Sequence, residues 1–310
     1  MEKSVLVFAT ADWLTRPVFA SKNSPALAAG LLLAVVLWGG NNTATKWLVG
    51  SWPPVWTGGT RFLGAGLLLL LLLRVTNWFG TYVTPTQAMN RQLWWRGGLS
   101  LAAYIVAFNG ALRFISASHM ALYLGASPVW AVLWEAGRDR TALRPSRLFA
   151  ALLALTGVGV LLWPALVTSG LNVRGELLGL AASGLWTNYS RQSRQLAATL
   201  NGAEVTAHTM WRAGLWLLPF GLVEVTRSGL PMNWNLLGVQ AYCIVAGGVV
   251  AFGLWNQALR YWPTSRVLLF NNLIPLSTVT WAYFCLGEAA TPTFWVALLF
   301  IGAGVVLGQK

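Results

Sequence analysis

Apolar residues occur in long runs that short polar segments separate, and this pattern extends from residue 26 to residue 308. A run of about 20 apolar residues can cross the hydrocarbon core of a bilayer as one α-helix. We therefore predict ten transmembrane helices, at residues 26–49, 54–73, 93–113, 118–136, 147–166, 175–195, 204–224, 238–260, 264–286 and 291–308. Residues 1–25 hold only a short apolar run, and we interpret them as a cytoplasmic tail.

One phrase within these runs occurs twice. The segment from Phe108 to Phe114 reads FNGALRF, and the segment from Trp255 to Tyr261 reads WNQALRY, at an offset of 147 residues. We infer two similar units of five helices each, residues 26–166 and 175–308. Because five is odd, the second unit must enter the membrane from the opposite side, which predicts an inverted repeat.

Composition agrees with a membrane protein. Hydrophobic residues make up 56% of the chain and charged residues 9%, with a mean hydropathy of +0.59, whereas soluble domains are about 25% charged. The net charge of +13 reflects loop charges, because fifteen Lys and Arg fall on the side of the N terminus and four on the other. This asymmetry predicts cytoplasmic termini in a cytoplasmic membrane, inner or plasma, and argues against nucleic acid as a partner.

Two cations remain inside the predicted helices, Arg61 and Arg212, at similar places in helices 2 and 7. All eight carboxylates fall in tails, loops or the terminal turns of helices, which disfavours a cation pump. Each guanidinium could bind the carboxylate of an amino acid or organic acid, or it could bind backbone carbonyls or reach the interface.

Polar and aromatic residues recur on helices that could surround a cavity, and they suit a neutral or zwitterionic substrate. The alternative is that the amides only join helices to one another. With the two arginines, the candidate substrate-binding residues are Trp38, Asn41, Asn42, Tyr104, Asn109, His119, Tyr123, Trp186, Tyr189, Trp255, Asn256, Asn271 and Asn272.

Other residues suggest motion, packing or metal binding. Pro128 and Pro275 each remove a helical hydrogen bond at matching positions, so we predict that they are gating points. GxxxG pairs at Gly175–Gly179 and Gly304–Gly308 allow close helix packing, either within the chain or in a homodimer. His119 and His208 lack nearby Cys or carboxylate partners in the sequence, so we expect no metal site and no cofactor.

Several of these residues together resemble a known family. The stretch Trp38-Gly39-Gly40-Asn41-Asn42, the later pair Arg61-Phe62, the run Asn109 to Ser118, and Gly287-Glu288 before the last helix are similar to EamA-type exporters of the drug/metabolite transporter superfamily. The resemblance covers residues 26–308. It implies a ten-helix, inverted-repeat exporter of amino acids, other metabolites or drugs, with a cavity lined by helices 1, 3, 4, 6, 8 and 9.

The sequence bears on three function classes. An intramembrane enzyme would need a nucleophile and base or a metal site, and the chain has neither H-E-x-x-H nor G-x-S-x-G. A membrane scaffold or receptor gives no reason for an inverted duplication. We therefore predict a secondary transporter without enzymatic activity, a monomer or homodimer in the lipid bilayer, that exports small metabolites by alternating access.

Overall fold

The computed structural model describes residues 24–76, 82–139, 145–168, 172–286 and 292–309. All regular secondary structure in these ranges is helical, and this confirms the all-α prediction. Almost all of the expected N-terminal tail, and the Gly287-Glu288 pair, lie outside the described residues.

The helices follow the apolar runs closely, and their bounds differ from the predicted ones by only a few residues. The first unit contains α1 (Ser24–Ser51), α2 (Pro54–Val75), α3 (Gln87–Phe114), α4 (Ala117–Gly125 and Ser127–Asp139) and α5 (Pro145–Thr168). The second unit contains α6 (Val173–Leu196), α7 (Gly202–Ser228), α8 (Trp234–Tyr261), α9 (Thr264–Leu268, Leu269–Leu273 and Ile274–Leu286) and α10 (Pro292–Leu307).

Five helices in the described part of the chain are long and apolar enough to cross a membrane. They are Ser24–Ser51, Pro54–Val75, Gln87–Phe114, Pro145–Pro164 and Trp234–Tyr261, and α10 is a shorter apolar helix. Helix α6 is less apolar because Ser183, Thr187 and Ser190 are buried toward other helices rather than exposed to lipid. A helix inside a bundle can carry such residues where interhelical hydrogen bonds are available.

Four helices depart from regular α geometry. Helices α3 and α8 contain π-helical segments at Leu93–Gly98 and Cys243–Val250. Helix α4 breaks at Ala126, two residues before Pro128, and α9 has a 3-10 segment, Leu269–Leu273, just before Pro275. A proline has no N–H to donate to the carbonyl four residues earlier, which loosens the preceding turn.

The helices pack in reciprocal pairs. Helix α2 packs along α7 and α5 along α10, while α1 packs on α8 and α9, and α6 packs on α3 and α4. The first helix of each unit, α1 or α6, therefore packs on the third and fourth helices of the other unit.

Both GxxxG pairs pack within the chain. A Cβ on Gly175 would contact Phe114, and one on Gly304 would lie 2.7 Å from the Ala150 carbonyl oxygen. Gly179 lies against Tyr123 and Gly308 against Leu269 in the same way. The close approach that these glycines permit is therefore used for α6 on α3 and α4, and for α10 on α5 and α9.

Candidate functional site

A cavity lies between the two units, and the empty space within it, including the part open to solvent, is about 480 Å³. Helices α1, α2, α3, α4, α6, α8 and α9 contribute to its wall. Its lining residues are Trp38, Asn42, Arg61, Phe62, Tyr104, Ile105, Phe108, Asn109, Leu124, Trp186, Phe252, Asn271 and Ile274. The wall is thus mostly aromatic and aliphatic, with one cation and three amides.

The aromatic part of the wall is a connected set of rings. The Trp38 ring meets the Trp186 ring edge-on with centroids 5.7 Å apart, and it meets Phe252 at 5.1 Å. Tyr104 lies 5.0 Å from Trp186 on the other side. Trp186 also stacks on Tyr189 at 5.6 Å. Rings held by several neighbours have little freedom to turn, so they form a fixed surface for an apolar part of a ligand.

The π-helical segment of α8 holds Trp38 in place. The indole Nε1 of Trp38 donates a hydrogen bond of 3.0 Å to the carbonyl oxygen of Gly247. Gly247 itself lies so close to Asn41 that a Cβ there would overlap the amide. Only glycine permits this approach, which brings α8 against α1 beside the cavity.

Arg61 is the one cation in the cavity wall, and it is 5% exposed. Its Nη1 donates to the Thr45 hydroxyl at 3.3 Å, and its guanidinium lies 4.8 Å from the Phe62 ring centroid. Its Nε has no hydrogen-bond partner, and it forms no ion pair with any described carboxylate. A buried guanidinium without a neutralising partner is unfavourable on its own, so it favours an anionic ligand.

The amides divide into bonded and unbonded groups. Asn109 donates to the Pro54 carbonyl oxygen at 2.9 Å, which ties α3 to the first turn of α2. The Nδ2 of Asn271 has no partner in the described structure although the side chain is buried. Asn271 precedes Pro275 by four residues, and Leu124 precedes Pro128 by four. The two loosened turns therefore bring matching positions of the two units to the cavity.

Seven of the fifteen predicted binding residues line this cavity, and eight do not. The seven are Trp38, Asn42, Arg61, Tyr104, Asn109, Trp186 and Asn271. Tyr189 and Trp255 lie just behind the wall in the ring cluster, and Asn41 and Asn272 are buried on the lining helices. Asn256 donates to the Thr206 hydroxyl at 2.8 Å and to the Tyr189 hydroxyl at 3.2 Å, so it joins α8 to α7 and α6.

Arg212 lies apart from the cavity, at the packing of α7 on α3. It donates to the Asn90 Oδ1 at 2.6 Å and to the His208 carbonyl oxygen at 2.9 Å. Its guanidinium also lies 4.2 Å from the Trp211 ring centroid. The Nε of Arg212, like that of Arg61, has no hydrogen-bond partner, but both Nη atoms of Arg212 donate to groups on α3 and α7. Arg212 and Arg61 therefore have different surroundings despite similar positions in their helices.

The expectation that neither histidine has a carboxylate partner is wrong for His119. Its Nδ1 lies 2.9 Å from Glu176 Oε1, because α6 packs on the start of α4. Tyr123, one turn later, lies against Gly179 rather than in the cavity wall. Within the described residues no group of three or more His, Cys, Asp or Glu side chains could hold a metal ion.

Similar contacts occur at opposite ends of the bundle. Lys46, near the end of α1, donates to the carbonyl oxygens of Leu112 and Ile115 at the end of α3. Arg194, near the end of α6, donates to the carbonyl oxygen of Trp262 after α8. The donors are 148 positions apart and Ile115 and Trp262 are 147 apart. The duplicated units thus repeat one cation-to-carbonyl contact, which suits the negative end of a helix dipole.

The described carboxylates act as helix-end partners. Glu224 accepts from the backbone N–H groups of Val55 and Trp56 at 2.8 and 3.2 Å. Glu204 accepts from Val83 N and Asn201 N, and Glu135 accepts from the Ser265 hydroxyl at 2.7 Å. These three carboxylates therefore accept hydrogen bonds from helix starts or loops and do not line the cavity.

Sequence reasoning missed the apolar lining residues. They are Phe62, Ile105, Phe108, Leu124, Phe252 and Ile274. In a chain that is 56% hydrophobic, nothing in an apolar side chain distinguishes a cavity position from a lipid-facing or packed one. Phe108 could have been found, because it opens the duplicated phrase.

Known proteins resemble this chain over nearly its whole length. A protein from Archaeoglobus fulgidus described as an uncharacterized transporter is 22% identical over 287 residues, covering 86% of this chain and 97% of its own. A probable amino-acid metabolite efflux pump of Escherichia coli K12 is 22% identical over 284 residues, covering 89% and 90%. A solved crystal structure superposes with a TM-score of 0.73 at 19% identity, covering 93% of this chain and 97% of the other, which shows a shared fold.

The family assignment rests on a match to both units. The model of the EamA-like transporter family matches residues 26–163 and again residues 173–308. Together with the apolar helices, this identifies a multi-pass membrane protein that transports metabolites. The chain belongs to the EamA-like transporter family, with two copies of the family domain in tandem.

Proposed function

We propose that this protein is a secondary transporter that exports small metabolites bearing a carboxylate, amino acids first among them, across the cytoplasmic membrane. The observation that carries the proposal is the buried Arg61 guanidinium, which faces an aromatic cavity and has no carboxylate partner among the described residues. A substrate carboxylate would supply the missing negative charge and accept two parallel hydrogen bonds from the planar guanidinium.

The rest of the cavity suits the rest of such a substrate. The Trp38 and Trp186 rings offer an apolar surface and, through their faces, attraction for an ammonium group. The free amide of Asn271 offers a further polar contact. Two relatives in Escherichia coli and Salmonella typhimurium are described as probable amino-acid metabolite efflux pumps, which supports the same substrate class.

Transport in this proposal proceeds by alternating access of two inverted five-helix units, with α1 to α10 all crossing the membrane. The reciprocal packing of α1 on α8 and α6 on α3 supports the inversion, since each unit plays the same part for the other. The Lys46 and Arg194 contacts would then close opposite ends of the cavity. The turns before Pro128 and Pro275 are the proposed bending points.

Efflux from proteoliposomes tests the function. Purified protein is reconstituted, the vesicles are loaded with labelled amino acids, and release is followed with and without a pH gradient. Each amino acid is paired with its amide and its decarboxylated amine. Faster release of the amino acid than of both analogues is expected, because only it carries the carboxylate for Arg61. Release of none of them above protein-free vesicles, or equal release of all three, would refute the proposal.

Cysteine labelling tests the orientation. We expect Ser228→Cys, after α7, to react with an impermeant maleimide in intact cells, and Ala198→Cys, after α6, to be protected. Both positions are exposed, so reactivity reports the side of the membrane. The reverse pattern would invert the proposed topology while leaving the transport proposal intact.

A further inference from the structure

An open groove lies at the start of α3, far from the cavity. It is lined by Ala88, Arg91, Gln92, Trp95 and Arg96. Arg91 and Arg96 are exposed, and neither forms an ion pair or a hydrogen bond with another described residue. The described lining includes no Asp or Glu to offset the two positive charges. The groove is thus a concentrated cationic site at one end of a membrane helix.

The π-helical segment Leu93–Gly98 brings the two arginines to one side of α3. A π turn takes up an extra residue, so positions five apart come onto one face, where an α-helix would align positions four apart. Arg91 and Arg96 are five apart, and both line the groove. A regular helix would turn one of these guanidinium groups away from the other.

Aromatic rings flank the groove on the side toward the bundle. Trp95 is 58% exposed, and its ring lies 5.5 Å from that of Trp216 on α7. Trp94 continues the cluster, at 6.1 Å from Trp216 and 5.4 Å from Trp211. Exposed indoles beside arginines are typical of the depth at which lipid headgroups meet acyl chains.

We propose that this groove binds the phosphodiester headgroup of an anionic phospholipid in the cytoplasmic leaflet. The guanidinium groups of Arg91 and Arg96 donate to the phosphate oxygens, and the Trp95 ring packs on the glycerol and the first methylenes of the acyl chains. The leaflet follows from the proposed orientation, which places the loop between α2 and α3 in the cytoplasm. The groove does not overlap the substrate cavity, so the lipid is a structural partner and not the transported molecule.

Lipid binding to the purified full-length protein in dodecyl maltoside tests the proposal. Native mass spectrometry follows adducts during titration with dioleoyl phosphatidylglycerol, with dioleoyl phosphatidylcholine and with inorganic phosphate. The variant is Arg91→Gln/Arg96→Gln, and the matched control is Arg227→Gln, an exposed arginine at the far end of α7. Both changes remove exposed charge, so the melting temperature without lipid should stay at the parental value.

We expect saturable binding of phosphatidylglycerol to the parent and to the control. The double variant should bind this lipid about 30-fold more weakly, since each of the two removed cations contributes to the attraction for an anionic headgroup. Arg91→Lys/Arg96→Lys should recover part of the affinity, because it restores charge without the planar fork. Equal binding of both lipids, or parental binding by the double variant, would overturn the proposal. Competition by inorganic phosphate at equal concentration would show a free-phosphate site instead. None of these readings depends on transport, so failure here and failure of the proposed function are separable.

Discussion

Replacement of Arg61 by methionine separates a substrate-binding role from a structural one. Methionine keeps an unbranched apolar stem and removes the guanidinium, which is 5% exposed and makes one side-chain hydrogen bond, to Thr45 at 3.3 Å. A structural arginine, such as one inside an ion-pair network, would leave unpaired partners behind. Arg61 has no described ion-pair partner to lose.

The magnitude follows from these surroundings. A hydrogen bond to a charged group contributes about 1.5–3 kcal/mol, so losing even one of the two proposed bonds between Arg61 and a substrate carboxylate should weaken binding roughly 10- to 150-fold, and Arg61→Met removes both. Removal of the unneutralised charge should meanwhile leave the substrate-free protein at least as stable, because desolvating an ion costs several kcal/mol. Arg61→Met should therefore lower transport of amino acids and keep or raise the melting temperature.

The assay compares labelled amino acid efflux from proteoliposomes for the parent, Arg61→Met and Arg61→Lys, with melting temperatures measured in detergent. Arg61→Lys should fall between the other two, because it keeps the charge and loses the bidentate geometry. The reasoning is refuted if Arg61→Met transports at the parental rate. It is equally refuted if Arg61→Met melts at a lower temperature than the parent and its efflux of the amide and amine analogues falls as strongly as its efflux of the amino acid.

Three further predictions concern the wall, the packing and the ends of the cavity. Trp38→Ala should reduce efflux about tenfold with normal membrane insertion, because it removes a ring from the wall, and parental efflux would contradict this. Gly247→Ala should lower the free energy of unfolding by about 1–3 kcal/mol through overpacking against Asn41. Gly253→Ala is the control on the same helix and should leave the free energy of unfolding unchanged, because the space around Gly253 is open. Equal effects of the two changes would refute the close approach of α8 to α1 at Gly247. Lys46→Met should raise the labelling of a cavity cysteine by a reagent added outside, and Arg194→Met should raise its labelling from the cytoplasmic side. If both variants raise labelling from the same side, the two contacts do not close opposite ends of the cavity.

The helical architecture could be predicted from the sequence because a membrane allows few solutions. Every backbone polar group in hydrocarbon must be bonded within the chain, so long apolar runs can hardly be anything except helices. The predicted run 54–73 and the helix Pro54–Val75 agree for this reason. The π segment at Leu93–Gly98 was not foreseen, since it depends on how Gly97 and Gly98 pack against α6 and α7.

The candidate site was only partly predictable. Trp38, Arg61 and Trp186 could be chosen because polar or amphipathic side chains stand out in apolar helices. Tyr123 stands out equally in the sequence, but its ring packs against Gly179 and does not line the cavity. Periodicity gives the face of a helix, but which neighbour covers that face depends on packing between distant segments.

The two arginines show how a duplicated scaffold can produce an asymmetric site. Arg61 and Arg212 occupy similar places in α2 and α7, which pack along one another. Asn90 on α3 and the carbonyl oxygen of His208 on α7 accept hydrogen bonds from Arg212, whereas Arg61 donates only to the Thr45 hydroxyl. Because Arg61 lines the cavity and Arg212 does not, the proposed site presents a single positive charge to a single substrate carboxylate, although each unit carries an arginine at this place.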